Sequence, residues 1–244
     1  MLLHLVRTDV ASRHRGSALG WIWALGPPLL QLVATYFLFT RVIPLDVDNY
    51  PVFLLVGILS WTWFARSMNE GVIALEQHSE LVRRPGFTTS LLPVVSVLVA
   101  LVDYLLAVPV MLLAVGLTSG LSAPAVLLPL LLLLQLLYCA GLALLVAPLQ
   151  VFLRDVRQIV GLLVSVGFWL TPVFYGRTQI PAEFAWIYKL NPMAYLVGGQ
   201  RTILIAGEWP SATVLTGVAI GGLLVLGAGY AVFRSLRFRI PEQL

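Results

Sequence analysis

YLLAVPVMLLAVGLTSGLSAPAVLLPLLLLLQLLYCAGLALLVAPLQVFL, residues 104–153, runs for 50 residues without an Asp, Glu, Lys or Arg. A soluble core has no use for such a run, because about a quarter of the residues in soluble domains are charged. Over the whole chain of 244 residues only 11% are charged, and 59% are hydrophobic. The run is long enough for two membrane spans of about 20 residues each. Gly116 to Pro124 supplies the turn between them. The chain therefore reads as an all-α integral membrane protein, and the remaining segments are placed around this pair of spans.

Working back toward the N-terminus, the third span covers 91–115 and carries Asp103 near its middle, with Pro109 beyond it. A carboxylate at that depth costs about 2.5–3.5 kcal/mol on insertion scales, so Asp103 is expected to face a partner group or water rather than lipid. Before it lies RSMNEGVIALEQHSELVRRPGFTTS, residues 66–90, which holds six of the 26 ionic side chains. Glu76, Glu80 and Arg84 recur at helical spacing, with Val72, Leu75 and Val82 on another face, and Pro85-Gly86 stops the pattern. Two readings fit this spacing equally: a solvated loop, or an amphipathic helix that docks a soluble partner at the membrane surface. The second span, 51–65, ends in Trp61, Trp63 and Phe64, where aromatic rings suit a membrane interface. A short acidic loop with Asp46 and Asp48 precedes it. The first span, 21–40, is expected to be kinked or broken at Pro27-Pro28. Residues 1–20 mix Arg7, Asp9, Arg13, His14 and Arg15 with apolar positions. They read as an interfacial helix along the headgroups and not as a cleaved signal peptide.

Working forward, the fourth span covers 125–149, followed by the ionic group Arg154, Asp155 and Arg157. The fifth, 158–175, meets Pro172 near its end. Gly176 to Pro210 is apolar, aromatic and rich in proline. Pro181 opens one short helix, and Asn191-Pro192 is a cap and first-turn pair for a second that runs to about Ile205, before Gly207. Apolar runs this short do not span, and suit re-entrant helices that pack on protein. The sixth span, 212–233, carries Gly217 and Gly221 at a spacing that favours close helix contact. With both termini cytoplasmic, 11 of the 15 Lys and Arg residues lie on the inner side, which is the orientation that the distribution of positive charge predicts for six spans. The net charge of +4 is accounted for by this asymmetry and does not call for nucleic acid.

The sequence offers little chemistry of its own. Its one lysine, Lys189, has no glycine-rich phosphate loop before it, so the chain is not expected to hydrolyse ATP. His4, His14 and His78 are scattered, and the single Cys139 lies within an apolar span; neither type forms a metal set or a catalytic pair. Asp46 and Asp48 are the acid pair of a sugar transferase only in miniature. A membrane-embedded transferase acting on lipid-linked sugars stays open as an alternative class.

The order of short motifs resembles the membrane subunit of type-2 ABC exporters of polysaccharides and polyol phosphates, such as O-antigen and teichoic acid. The motifs are Asp9-x-x-x-Arg13-x-Arg15-x-Ser17-x-Leu19-Gly20-x-x-Trp23; Trp61-Thr62-Trp63-Phe64; Leu81-Val82-Arg83-Arg84 with Phe87 and Leu92-Pro93; Phe152-Leu153-Arg154-Asp155-Val156; Thr171-Pro172-Val173-Phe174-Tyr175; and Leu190-Asn191-Pro192. The sequence departs from the family pattern at Thr89-Ser90, where Arg-Glu is common, and at Gln150, where Asn is common. The resemblance implies a half-transporter in the cytoplasmic (inner) membrane. A second copy of the chain would complete a pore, and two copies of a separate ATP-binding subunit would carry ATP and Mg. This chain itself is expected to bind no cofactor. By the same resemblance, Glu76, Glu80, Leu81, Arg83, Arg84, Arg154 and Asp155 are expected to couple to the ATPase. Trp61, Trp63, Phe64, Phe174 and Tyr175 are expected to line the path of a lipid-linked glycan. Export of a drug or small lipid is the alternative within the family.

Overall fold

The computed structural model describes residues 2–14, 22–42, 49–176 and 179–244. Arg15 to Trp21, the loop that holds Asp46 and Asp48, and Arg177 lie outside the described residues. Among the described residues every regular element is helical. Helix α1 covers Leu2–His14 and packs on α5. Helix α2, Ile22–Phe37, contains Pro27 and Pro28 in its first two turns and is not broken at them; a π-helical turn, Leu38–Val42, extends it. Then follow α3 (Tyr50–Gln77), α4 (Ser79–Val82), α5 (Leu91–Thr118) and α6 (Leu128–Phe152), the last entered through a 3-10 turn, Ala123–Leu127. The 104–153 run is thus most of two helices and their turn. Helix α7 is Val156–Leu170, α8 Ala185–Leu190, α9 Pro192–Arg201, α10 Ala212–Leu236 and α11 Ile240–Gln243. Four helical stretches are long and apolar enough to cross a membrane: Tyr50–Gln77, Leu91–Thr118, Ala123–Phe152 and Ala212–Leu236.

Helix α3 runs on to Gln77, past Ala65, the expected end of the second span. That end rests on Arg66 and Glu70 leaving the membrane, but the two charges sit one turn apart and pair at 2.9 Å. No proline interrupts residues 65–77. Gly71 stays helical because Ala143 of α6 packs against it, and an added Cβ would lie 2.9 Å from the Ala143 Cβ. At 28 residues α3 is about 42 Å long, longer than a hydrocarbon core of about 30 Å is thick. The amphipathic helix expected within residues 66–90 is therefore not one element. Met68 to Gln77 belongs to α3, the helix breaks at His78, and only the single turn α4 stands apart.

Helix α3 is also the axis of the fold, touching α2, α5, α6, α7 and α9. The main core surrounds it, with Leu54, Val56, Ile58, Val97, Met111, Cys139, Leu196 and Ile203 inaccessible or nearly so. Helices α6 and α10 meet backbone to backbone. A Cβ on Gly141 would lie 2.6 Å from the Leu226 nitrogen, and one on Gly229 would fall on the Gly141 carbonyl. The close approach expected at Gly217 and Gly221 is thus displaced: Gly221 meets the Tyr138 hydroxyl, and Gly217 faces open space. A second apolar cluster forms at the other end of the molecule, where Ala74, Leu75, Val82, Leu92, Leu144, Ala147, Phe233 and Ile240 bury one another. Through Ile240 the C-terminal turn α11 is held against α4 and α6.

Candidate functional site: a seam between α3 and α7

Helix α7 is amphipathic in an inverted sense. Only Val160 and Val164 are buried, while Leu162, Leu163, Val166 and Trp169 are exposed. Its inner side lies along α3, and the seam between them changes character along its length. Near the N-terminus of α7 it opens as a cleft of about 660 Å³ lined by Asn69 of α3 and by Arg154, Asp155, Arg157, Gln158 and Ser165. The polar character comes from the Arg-Asp-x-Arg turn that joins α6 to α7 and from one small-residue face of α7, Gly161 and Ser165.

One to two turns further along, the seam becomes aromatic. Trp61 and Phe64, three residues apart on one face of α3, have ring centroids 5.1 Å apart. Trp61 reaches α7 because Gly167 leaves room: an added Cβ there would be 3.0 Å from the indole. The chain of rings continues to Phe168 (6.1 Å), then to Phe174 (6.0 Å), which also touches Phe39 (5.0 Å), Trp169 (5.2 Å) and Tyr175 (4.9 Å). The structure thus gathers four of the five expected aromatic residues into one row and adds Phe39, Phe168 and Trp169. Trp63 is not in that row. Two residues from Trp61, it points to the opposite side of the helix, 2% exposed, with its ring 5.2 Å from Tyr104 of α5. Helical geometry demands this separation, since positions i and i+2 do not share a face.

Three polar arrangements hold α3 among its neighbours, the first of them at the end of the seam. The first is Arg201, at the end of α9 and only 8% exposed. Its guanidinium donates to the Phe53 carbonyl (3.0 and 3.2 Å), the Pro172 carbonyl (2.5 Å) and the Val173 carbonyl (2.5 Å), and stacks 3.4 Å over the Phe53 ring. The carbonyls of Pro172 and Val173, in the turn that follows α7, are satisfied by this one side chain. Gly57 makes room for it, because a Cβ there would strike the guanidinium. Tyr50 adds a bond to the Phe174 carbonyl (2.8 Å), and Asn191 donates to the Thr171 hydroxyl (2.7 Å) while capping α9 through Met193 N (3.0 Å). The aromatic turn is therefore held by three side chains, from α3 and from both ends of α9.

The second arrangement is a closed amide group in the core. Gln135 of α6 donates to the Ser60 carbonyl (2.8 Å), Gln200 of α9 donates to the Gln135 side chain (3.2 Å), and Ser60 and Tyr104 donate to Gln200 (2.5 and 3.2 Å). Four helices are joined at one point. The third is the ion pair of Asp103 with Arg66 across α5 and α3, 2.6 Å, which gives the mid-helix carboxylate a partner on the neighbouring helix.

The residues expected to couple to an ATPase are divided by the break at His78. Glu76, on the last turns of α3, accepts a hydrogen bond from Gln150 (3.0 Å). Leu81 packs on the second cluster, whereas Glu80, Arg83, Arg84, Arg154 and Asp155 are exposed. Gln150 also accepts from the backbone nitrogen of Arg157 (2.7 Å), so one side chain connects the end of α3 to the start of α7. In the sequence Gln150 stands out only as a departure from a family pattern, and Arg201 is one of the four Lys and Arg residues left on the outer side. The signal available for Arg201 was its position on an apolar helix close behind a capping Asn-Pro pair.

The sequence matches the ABC-2 type transporter family over residues 2–205. It is 32% identical over 248 residues to an O-antigen export system permease protein, RfbA, of Myxococcus xanthus, spanning all of this chain and 95% of that protein. It is 28% identical over 251 residues to a protein of the same description from Klebsiella pneumoniae, with the same coverage. The family match takes in α1 to the end of α9, and so includes both sides of the seam and the clamp that holds it. The chain belongs to the ABC-2 type transporter family.

Proposed function

We propose that the chain is the pore-forming transmembrane subunit of an ATP-driven exporter that moves a lipid-linked polysaccharide or polyol phosphate across the cytoplasmic membrane. The observation that carries this reading is the α3–α7 seam, polar at one end and a row of rings at the other. Hydroxyls and phosphates suit the polar mouth. Sugar rings, with their flat C–H faces, suit the aromatic end. In this reading one seam is half of a path, and the exposed Leu162, Leu163, Val166 and Trp169 of α7 meet a second copy of the chain. Residues 21–239 form one six-span domain, in which α2 and α7 are the first and fifth spans and both termini are cytoplasmic. Helix α1 lies along the headgroups, and α8 and α9 are re-entrant on the far side. Two copies of a separate ATP-binding subunit, with ATP and Mg, dock at α4 and at Arg154-Asp155.

The test is replacement of Trp61, Phe64 and Phe174 by alanine together, in cells that lack their own permease, with surface glycan as the readout. Three ring contacts at about 0.5–1.5 kcal/mol each predict a fall in export of roughly tenfold or more, with insertion and partner assembly intact. Normal export by an inserted triple variant would overturn the assignment of the path.

A further inference from the structure

We propose that the groove between α6, the α8–α9 segment and α10 holds one chain of an anionic phospholipid, with the lipid phosphate against Lys189. The groove encloses about 540 Å³ and is lined on α10 from Thr213 to Val225. Those residues span roughly 18 Å of helix, and one leaflet of the hydrocarbon core is about 15 Å deep. The groove exists because α6 and α10 diverge. At Gly141 and Gly229 the two backbones touch, at Gly221 the Tyr138 hydroxyl fills the space, and at Gly217 an added Cβ would meet nothing within 4 Å. A wedge of this kind between membrane helices is not filled by water when its walls are apolar. An acyl chain from the surrounding leaflet is the filling that a bilayer supplies.

The mouth identifies the headgroup. Lys189, the one lysine of the chain, is exposed at the end of α8 and lines the groove. Among the described residues no carboxylate lies within ion-pair distance of it. The hydroxyls of Tyr138 and Tyr195, which also line the groove, make no hydrogen bond to another described residue. A single cation beside a mainly apolar groove matches a phosphate headgroup over one chain. The cavity is separate from the α3–α7 seam, so this inference does not depend on what is exported. It requires only that α10 crosses the membrane.

Native mass spectrometry of the detergent-extracted protein, offered phosphatidylglycerol and phosphatidylcholine of identical chains, tests the site. The protein should retain one lipid and prefer phosphatidylglycerol by about fivefold, the weight of one lysine near an anionic headgroup. Lys189→Gln should abolish the preference while a chain is still bound. Gly217→Phe, whose Cβ would meet nothing within 4 Å and whose ring would occupy the groove, should abolish retention. Gly227→Phe is the control, because it is also placed in open space on α10 but away from the groove, and it should retain the lipid. Equal binding of the two lipids by the unaltered protein, or unchanged retention by Gly217→Phe, would overturn the proposal. So would release of a co-purifying polypeptide by Gly217→Phe, since that would make the groove a protein interface.

Discussion

Replacing Arg201 by methionine should loosen the aromatic turn without touching a ring. Methionine keeps the length and apolar stem of the side chain but removes every donor. The carbonyls of Pro172 and Val173 then lose their partner in a position that is 8% exposed, while the Phe53 carbonyl keeps its bond within α3. A buried polar group left unpaired costs about 1–3 kcal/mol, so the two together represent a gross loss of about 2–6 kcal/mol. Removal of a buried guanidinium offsets part of this, and a net loss of about 3–5 kcal/mol is the usual result of breaking a buried charged arrangement. For a chain of this size each kcal/mol moves the melting temperature by about 2–4 °C, so Tm should fall on the order of 10 °C. The assay is thermal unfolding of the purified protein, followed by tryptophan fluorescence. Gly57→Ala supplies an independent check, because its Cβ would collide with the guanidinium and lie 2.7 Å from the Val173 carbonyl. The two substitutions act on one contact, so the double variant should lose clearly less than the sum of the single losses. A fall of less than about 3 °C for Arg201→Met, or strict additivity with Gly57→Ala, would refute the clamp.

Two further outcomes are expected. Single cysteines at Ser79 and Glu183 should label from opposite sides of the membrane, the first from the cytoplasm, and labelling from one side would overturn the topology. Reversal of Glu80, Arg83 and Arg84 together should leave the protein inserted but prevent co-purification of the ATPase. Any one of these exposed charges contributes only about 0.2–1 kcal/mol and should be dispensable alone. Normal recruitment by the triple reversal would reduce α4 to a solvated turn.

The elements legible in the sequence are those where one local rule acts alone. The charge-free run gave two helices with a turn at Gly120, where φ is 77°. Asn191-Pro192 capped α9, and Gly207, at φ 67°, closed the π-helical turn after it, as their residue types demand. The end of α3 was not legible because Arg66 was counted as a charge leaving the membrane. Arg66 pairs with Glu70 at a spacing visible in the sequence, but also with Asp103 on another helix, and no local pattern reports the second partner. Arg201 and Gln150 follow the same logic: each is polar in sequence and buried in three dimensions, and each takes its partners from two or three distant segments. Trp63 differs. The 100° turn per residue already separated it from Trp61, so grouping the whole aromatic cluster as one surface ignored a period that was visible.

The amide group of Ser60, Tyr104, Gln135 and Gln200 carries a consequence for the order of biosynthesis. Gln200 is the last of the four to be made, 65 residues after Gln135, 96 after Tyr104 and 140 after Ser60. At about 5–20 residues per second, α6 waits roughly 3–13 seconds between the emergence of its glutamine and the arrival of its partner on α9. During that interval the nascent bundle holds polar groups at a junction that nothing yet closes. Helix α9 does not span; its arrival converts three inserted helices from neighbours into a fixed assembly. The same event brings Arg201, one residue later, to the carbonyls that end α7. The short helix is thus the latch of the ribosomal programme, and chains halted before it should be the ones that membrane proteases remove.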